Sequence, residues 1–271
     1  MPTILAALDT TPRSGPVLRW AAREATLTGA HLGAVTACGG SEQSGPNLDA
    51  TRRQSLDTCV DSVLPPAQAA STERTVLSER PFDALVKASV EADLLVMGTG
   101  RHHLPWGPHE LTARMLAQAS CPVAVVADQP QRNTGRIAVG VDGSPASYAA
   151  YRWAHRRAER TGADLMAVMT WPWVPEYDPA YDPSRAEAAC REILDETLAD
   201  APAGNRTHIV RHGHPADVLL DISHHVDLMV VGSTGIGSSG RHLLGSVSQR
   251  VAQRAACPVV ITHDTDDAAP A

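Results

Sequence analysis

Short apolar runs alternate along the chain with amphipathic stretches, and this alternation predicts strands that are each followed by a helix. In the second half of the chain, strands are predicted near residues 136–142, 164–171, 207–212, 227–232 and 258–262. Runs such as DLMVVG are apolar throughout, which is typical of parallel strands covered on both faces. Ser144 and Pro145 offer an N-cap and a first-turn proline, and further helices are predicted from Pro215 and over residues 185–198. The pattern favours an α/β fold with right-handed crossovers.

The second informative pattern is an internal duplication. TILAALDTTP, GAHLGAVTA, ADLLVMGTG and ASCPVAVVA recur in the same order as RIAVGVDGSP, GADLMAVMT, VDLMVVGST and AACPVVITH. We therefore expect two tandem domains at residues 1–130 and 131–271, joined near the polar segment DQPQRNTG. Each should be a doubly wound, Rossmann-like sheet of five parallel strands with helices on both faces. We also expect the last strands of the two copies to pair in an internal pseudo-dimer, because exposed apolar edge strands promote aggregation.

Composition narrows the classes of function. The net charge of −7 argues against a nucleic acid or an anionic membrane as partner, and no apolar run reaches the length of a membrane span. The five cysteines are odd in number and lack C-x-x-C spacing, which favours reduced thiols in a cytoplasmic protein. The opening MPTILAALD has no basic region and is expected to be a strand rather than a signal peptide.

Candidate chemistry concentrates in the stretch VVGSTGIGSSGRHLLGS, which follows the fourth strand of the second copy. Its glycines and serine are spaced Gly232-x2-Gly235-x9-Gly245-Ser246. A missing Cβ at Gly232 would let a ligand approach, and Gly235 could take a positive φ in a tight turn. Gly245 and Ser246 precede a predicted helix, whose free N–H groups and macrodipole favour phosphate. The alternative is an ordinary flexible loop that ends in a helix cap.

Two other phosphate-binding loops are excluded. A Walker A loop needs a lysine, and the single lysine of the chain, Lys87, lies in a predicted helix of the first copy. A dinucleotide fingerprint would follow the first strand, which here ends in VGVDGSP. Asp142 therefore stands on the same rim as Gly232, where its carboxylate could accept bonds from ribose hydroxyls or an adenine amino group. Its structural alternative is an Asx turn or a helix cap.

Together, G-x2-G-x9-G-S, GVDGSP and CPVVI resemble the universal stress protein family over the whole chain, as a tandem pair. The long spaced motif is the ATP-binding signature of that family, so the resemblance implies an ATP-binding regulatory protein with Mg²⁺ on the phosphates. The site residues implied are Gly140, Val141, Asp142, Thr170, Val231, Gly232, Thr234, Gly235, Gly245, Ser246, Val247 and Ser248. Arg241, within the same loop, is a further candidate because it could add positive charge. A shift of one residue would replace Thr170 by Met169 or Trp171.

The first copy departs from this motif in MGTGRHHLPWGPHELTARM. Arg101 stands three residues after Gly98, in place of the second glycine, and alignment from CPV puts His109 and Glu110 where Gly245 and Ser246 stand. A glutamate there would repel phosphate, so we expect the first copy to be structurally intact but impaired for ATP.

Several alternatives remain open. The histidines at 102–103, 212–214 and 224–225 lack the spacing of a metal site and are expected to be solvated. WPWVPEYDPAYDPS could cover the site or merely a helix, and no nucleophile, base and orienting residue can be combined into a catalytic set. The rival functions are a scaffold with no nucleotide site and a slow ATPase or adenylyl transferase. An unidentified protein partner and a homodimer are also open.

Overall fold

The computed structural model describes residues 2–37, 46–99, 108–128, 132–171, 182–198, 206–235 and 244–264. The chain divides into two compact units, one within residues 1–130 and the other within residues 131–268. Among the described residues, no helix has both the length and the apolar character that a membrane span requires.

Strands and helices alternate in both units. The first unit contains β1 (Thr3–Ala7), α1 (Ser14–Thr28), β2 (His31–Ala37), α2 (Pro46–Val63), α3 (Pro66–Ser71), β3 (Glu73–Leu77), α4 (Pro81–Ala88), β4 (Leu94–Gly98), α5 (Pro108–Gln118) and β5 (Val123–Val126). The second unit contains β6 (Arg136–Gly140), α6 (Pro145–Thr161), β7 (Asp164–Trp171), α7 (Pro183–Leu198), β8 (Arg206–His212), α8 (Pro215–Ile222), β9 (Leu228–Gly232), α9 (Ser246–Arg254) and β10 (Val259–Thr262).

The strand order is the same in the two units. It is β3-β2-β1-β4-β5 in the first and β8-β7-β6-β9-β10 in the second, and neighbouring strands within each unit are parallel. In each unit the first three strands are placed side by side in one direction from the centre of the sheet, and the last two are placed in the other direction. The predicted doubly wound α/β fold is therefore confirmed.

Helices cover both faces of the second sheet. A Cβ atom on Gly140 would lie 3.2 Å from Leu219 of α8, whereas one on Gly232 would lie 2.7 Å from the backbone of Ala146 in α6. Val139 pairs with Val230, so Gly140 and Gly232 are one residue out of register and face opposite sides.

Local sequence signals explain the ends of α6. The Ser144 side chain accepts a bond from the Ser147 N–H at 3.2 Å, and Pro145 opens the helix, as predicted. Gly162 ends it with a φ of 66°, a left-handed conformation that suits glycine. The first strand of this unit was predicted to reach residue 142 but ends at Gly140, because the chain turns there into the cap of α6.

The duplication extends to buried side-chain hydrogen bonds. Ser89 accepts a bond from the Ser120 N–H in the first unit, and Ser223 accepts one from the Ala256 N–H in the second, each at 2.9 Å. Both serines are fully buried. Each bond ties the end of the helix before the fourth strand, α4 or α8, to the turn before the last strand, so this part of the scaffold is common to the two copies.

Candidate functional site

The carboxyl ends of β6 and β9 meet at the centre of the second sheet. The chain leaving β6 passes through α6 towards β7, and the chain leaving β9 passes through α9 towards β10. The two connections diverge to opposite sides, which opens a crevice between them. In doubly wound sheets this switch point is the usual place for a ligand.

Asp142 lies in that crevice and uses its two carboxylate oxygens differently. Oδ1 accepts a bond from the Ser144 N–H at 3.0 Å, so the Asx turn offered as the structural alternative is present. Gly143, the residue between Asp142 and Ser144, has a φ of 83°. Oδ2 faces the glycine loop, since a Cβ on Gly235 would lie 2.6 Å from it. One oxygen therefore stabilises the turn, while the other lies against the loop after β9.

The glycines of this loop are required for reasons other than those expected. The space beside Gly232 is filled by the Ala146 backbone, so its missing Cβ lets β9 and α6 pack closely. The φ of Gly235 lies outside the left-handed region, and it is the Asp142 carboxylate that leaves no room for a side chain. Both requirements arise from long-range contacts rather than from local backbone conformation.

Hydrogen bonds close the base of the loop. The Gly245 N–H donates to the Ser233 carbonyl at 2.7 Å, and the Ser248 hydroxyl donates to the Gly232 carbonyl at 2.6 Å. A Cβ on Gly245 would lie 3.7 Å from the Cα of Thr234. The two ends of the G-x2-G-x9-G-S segment are thus in contact, although its middle, with Arg241, lies outside the described residues.

The start of α9 provides hydrogen-bond donors beside this base. Its first backbone bond runs from the Gln249 N–H to the Gly245 carbonyl at 2.9 Å, so the N–H groups of residues 246–248 have no partner within the helix. Gly245 has no side chain with which to cap them. Ser246 is exposed and Val247 is half-buried, so this helix end has the donors and the accessibility of an anion site.

The remaining predicted residues line the strand ends. Val141 and Val231 are buried, and the Val141 N–H donates to the Val168 carbonyl at 2.9 Å. Gly140 packs on Val231, which is 3.1 Å from its Cβ position. Thr170 is half-buried near the end of β7, one strand further from the crevice than Asp142.

Sequence inspection missed the serines that organise the rim. The Ser144 hydroxyl donates to the Thr234 carbonyl at 3.3 Å, and the Ser147 hydroxyl donates to the Ser144 carbonyl at 2.9 Å. The first of these bonds joins the turn after β6 directly to the loop after β9. The spacing S-x-x-S after Asp142 was the available signal, and only its capping role was recognised.

The equivalent rim of the first unit is bonded differently. Oδ1 of Asp9 accepts from the Thr11 N–H at 3.0 Å and from the hydroxyls of Thr11 and Ser14, each at 2.7 Å. Thr10, in the place of Gly143, has a φ of 57°, a left-handed conformation that is unfavourable for a β-branched residue.

The helix after the fourth strand, α5 in the first unit, also starts differently from its equivalent α9 in the second unit. The Thr112 hydroxyl donates to the Gly98 carbonyl at 3.2 Å, as Ser248 does to Gly232. This equivalence agrees with the alignment of Glu110 with Ser246. Because α5 begins at Pro108, Glu110 is its third residue, whereas Ser246 is the first residue of α9. The helix end is thus displaced by two residues and begins with a proline, which has no N–H.

Comparison with known proteins assigns the chain to a family. The family model described as the universal stress protein family matches residues 1–127 and 133–263. The chain belongs to the universal stress protein family. It carries two tandem domains of this family, since the model matches once in each unit.

Relatives of this universal stress protein match it along nearly all of its length. One from Mycobacterium tuberculosis is 30% identical over 290 residues, which cover 97% of this chain and 96% of the relative. One from Mycolicibacterium smegmatis is 31% identical over 298 residues, with 96% of each chain covered. The crystal structure of a universal stress protein from Archaeoglobus fulgidus matches with a TM-score of 0.70, covering 96% of each chain at 18% identity. At that identity the likeness shows the fold.

The cysteines of this universal stress protein lie mostly in the core. Cys121 and Cys257 are 3% and 6% exposed, Cys190 is also buried, and Cys59 is half-buried. Burial raises the pKa of the Cys257 thiol to about 12. Cys38 lies outside the described residues.

The described part of the chain holds no group of three or more His, Cys, Asp or Glu side chains that could bind a metal ion. His214 instead caps α8, accepting a bond from the Ala216 N–H at 3.3 Å. Most of the aromatic segment that was considered as a cover of the site, residues 172–181, lies outside the described residues.

Proposed function

We propose that the second unit of this universal stress protein binds ATP in the crevice between β6 and β9. One observation carries the proposal: the Asp142 carboxylate and the glycine loop meet there, with Oδ2 placed 2.6 Å from a Cβ position on Gly235. The loop that leads from β9 to the start of α9 therefore passes directly beside the Asp142 carboxylate. A carboxylate and a helix N-terminus are complementary to the two ends of a nucleotide, its hydroxyls and its phosphates.

The phosphates would bind at the start of α9. The N–H groups of Ser246, Val247 and Ser248 have no partner within the helix, and the exposed Ser246 hydroxyl adds a donor. A side chain at Gly245 would crowd the Ser233 carbonyl oxygen, which lies 3.3 Å from the Cβ position, so glycine lets the two ends of the loop come together beside the helix N-terminus. Arg241 remains a proposed contact from the part of the loop outside the described residues.

The adenosine would lie over the strand ends beside Asp142. Oδ2 of Asp142 can accept a hydrogen bond from a ribose hydroxyl or the adenine amino group, while Oδ1 keeps the carboxylate in place through Ser144. The other proposed contacts are Gly140, Val141, Thr170, Val231, Gly232, Thr234 and Gly235. Val141 and Val231 are almost fully buried by the protein itself, so their proposed contribution is through the backbone at the strand ends.

A Mg²⁺ ion would accompany the phosphates. This cation usually keeps several waters and binds through substrate phosphates with one or two protein oxygens. The absence of a cluster of metal ligands among the described side chains is compatible with that mode, in which the phosphates supply the main ligands.

We assign the single ATP to the second unit. In the first unit, the start of α5 is displaced and carries Glu110 in the position equivalent to Ser246. The displaced helix end and the negative charge of the glutamate both disfavour an anionic nucleotide. We propose a regulatory role, in which ATP stabilises one state of the protein by mass action rather than being turned over rapidly.

The experiment is calorimetric titration of the full chain with ATP and Mg²⁺. The wild type should bind one ATP, and Ser246→Glu should bind none, because the new carboxylate would face the phosphates. A glutamate in the first turn favours the helix, so the variant should keep its fold. The matched variant Glu110→Ser should leave the affinity unchanged. Binding of two nucleotides, or full binding by Ser246→Glu, would refute the assignment, and absence of binding would favour the scaffold alternative.

A further inference from the structure

The hydroxyl of Ser248 donates its hydrogen bond within the protein. It is 5% exposed and donates to the Gly232 carbonyl at 2.6 Å, across sixteen residues of sequence. A hydroxyl has a single proton, and a phosphate oxygen can only accept. Ser248 therefore has no hydrogen to offer a phosphate as long as this bond exists.

The acceptor of that bond is held firmly. A Cβ on Gly232 would lie 2.7 Å from the carbonyl carbon and 2.9 Å from the carbonyl oxygen of Ala146. The backbone of Gly232 is therefore packed directly against the first turn of α6. The Gly232 N–H and carbonyl also belong to a strand paired with β10. Because Gly232 has little freedom to shift, a bond to its carbonyl fixes the position of the donor.

The first unit provides an internal control for the role of this bond. Thr112 is 7% exposed and donates to the Gly98 carbonyl at 3.2 Å, in the same position of the fold. In that unit the glycine motif is lost, and the segment from the glycine that accepts the bond to the hydroxyl residue that donates it is two residues shorter. A bond that persists where the motif is absent belongs to the scaffold rather than to the ligand.

We infer that Ser248 is a positioning residue, which orients the first turn of α9 by anchoring it to the end of β9. The inference rests on the proposed ATP site and revises the role of one of its residues. In this arrangement Ser246 and the N–H groups contact the phosphates, whereas the side chain of Ser248 holds those N–H groups in place. Together with the Gly245 bond to Ser233, it sets the direction in which the helix N-terminus faces.

Hydrogen exchange of the nucleotide-free protein and titration with ATP and adenosine test this role in parallel. Ser248→Ala should exchange the hydrogen-bonded amides of Gly245 and Gln249, at the start of α9, about tenfold faster. It should also bind ATP about five- to tenfold more weakly, the usual effect of losing one such bond. Adenosine, which lacks phosphates, should bind as to the wild type. Ser248→Thr should restore both properties, because Thr112 makes the same bond in the first unit.

Two further variants separate positioning from direct contact. Ser246→Ala should weaken ATP binding without changing exchange in the nucleotide-free protein. Thr112→Ala should speed exchange at the start of α5 and leave ATP binding unchanged. Unchanged exchange in Ser248→Ala, or failure of Ser248→Thr to restore ATP binding, would overturn the inference. If the wild type binds no ATP, the proposed function fails, and the exchange data still decide whether Ser248 anchors the helix.

Discussion

Replacing Gly235 by alanine should weaken ATP binding by moving a different residue. The new Cβ would lie 2.6 Å from Oδ2 of Asp142, a distance that non-bonded carbon and oxygen atoms do not reach. The carboxylate must turn away or the loop must shift. Rotation of the carboxylate disturbs the bond that Oδ1 accepts from the Ser144 N–H at 3.0 Å, so neither adjustment is free of cost.

The size of the effect follows from the bond that would be lost. A hydrogen bond to a charged group typically contributes about 1.5–3 kcal/mol, which corresponds to roughly ten- to a hundredfold in affinity. Asp142→Ala should lose the same amount, because it removes the acceptor itself. If Gly235 matters through Asp142, the double variant should bind ATP about as well as Asp142→Ala alone. The two changes should therefore be strongly non-additive.

The assay is titration of ATP against the wild type, both single variants and the double variant, with thermal unfolding to check that each is folded. The second loss should be smaller than about twofold in the Asp142→Ala background. Full additivity would refute the reasoning, because Gly235 would then act independently of the carboxylate. Gly98→Ala in the first unit is a control for replacing a glycine where there is room for a side chain, since its Cβ would meet Val17 at an ordinary 3.6 Å.

Three other predictions concern stability and reactivity. Gly232→Ala should lower the free energy of unfolding by roughly 1–3 kcal/mol in urea titrations because of overpacking against Ala146, whereas Gly98→Ala should change it by less than about 0.5 kcal/mol; equal effects would contradict the packing argument. Thr10→Gly should raise the free energy of unfolding of the first unit by roughly 0.5–1 kcal/mol. It relieves the strain of a φ of 57°, and this gain is only partly offset by the greater freedom of glycine in the unfolded chain. A loss of stability would contradict this. Cys257, whose pKa is raised to about 12 by burial, should react with a thiol reagent at pH 8 only after unfolding, and its rapid labelling in the native protein would contradict the buried placement.

The regular elements were predictable because their signals are local. Apolar runs placed the strands of the second unit within two residues of their observed ends, and Ser144 with Pro145 marked the start of α6. The need for glycine at positions 232 and 235 was harder to explain. Their neighbours, Ala146 and Asp142, are about ninety residues away in sequence, so no local pattern could show that packing rather than backbone conformation excludes a side chain there.

The differences between the two rims were only partly visible in the sequence. The alignment showed that Glu110 replaces Ser246, but the displaced start of α5 depends on Pro108, whose preference for the first helical position was not used. The bonds at Asp9 were also not foreseen. Both copies carry a hydroxyl residue two and five positions after the aspartate, and only the backbone path decides where those hydroxyls donate.

The turn after the first strand distinguishes what the fold requires from what a ligand site requires. Both copies place an aspartate there and follow it with a residue of positive φ, which is Gly143 in one and Thr10 in the other. A threonine persists in this unfavourable conformation only if the surrounding bonds determine it, and Asp9 supplies them by accepting from Thr11 and Ser14. The turn is therefore part of the scaffold. The glycine loop is not, because the first copy has replaced it while keeping the hydrogen bond between its two ends, from Thr112 to Gly98.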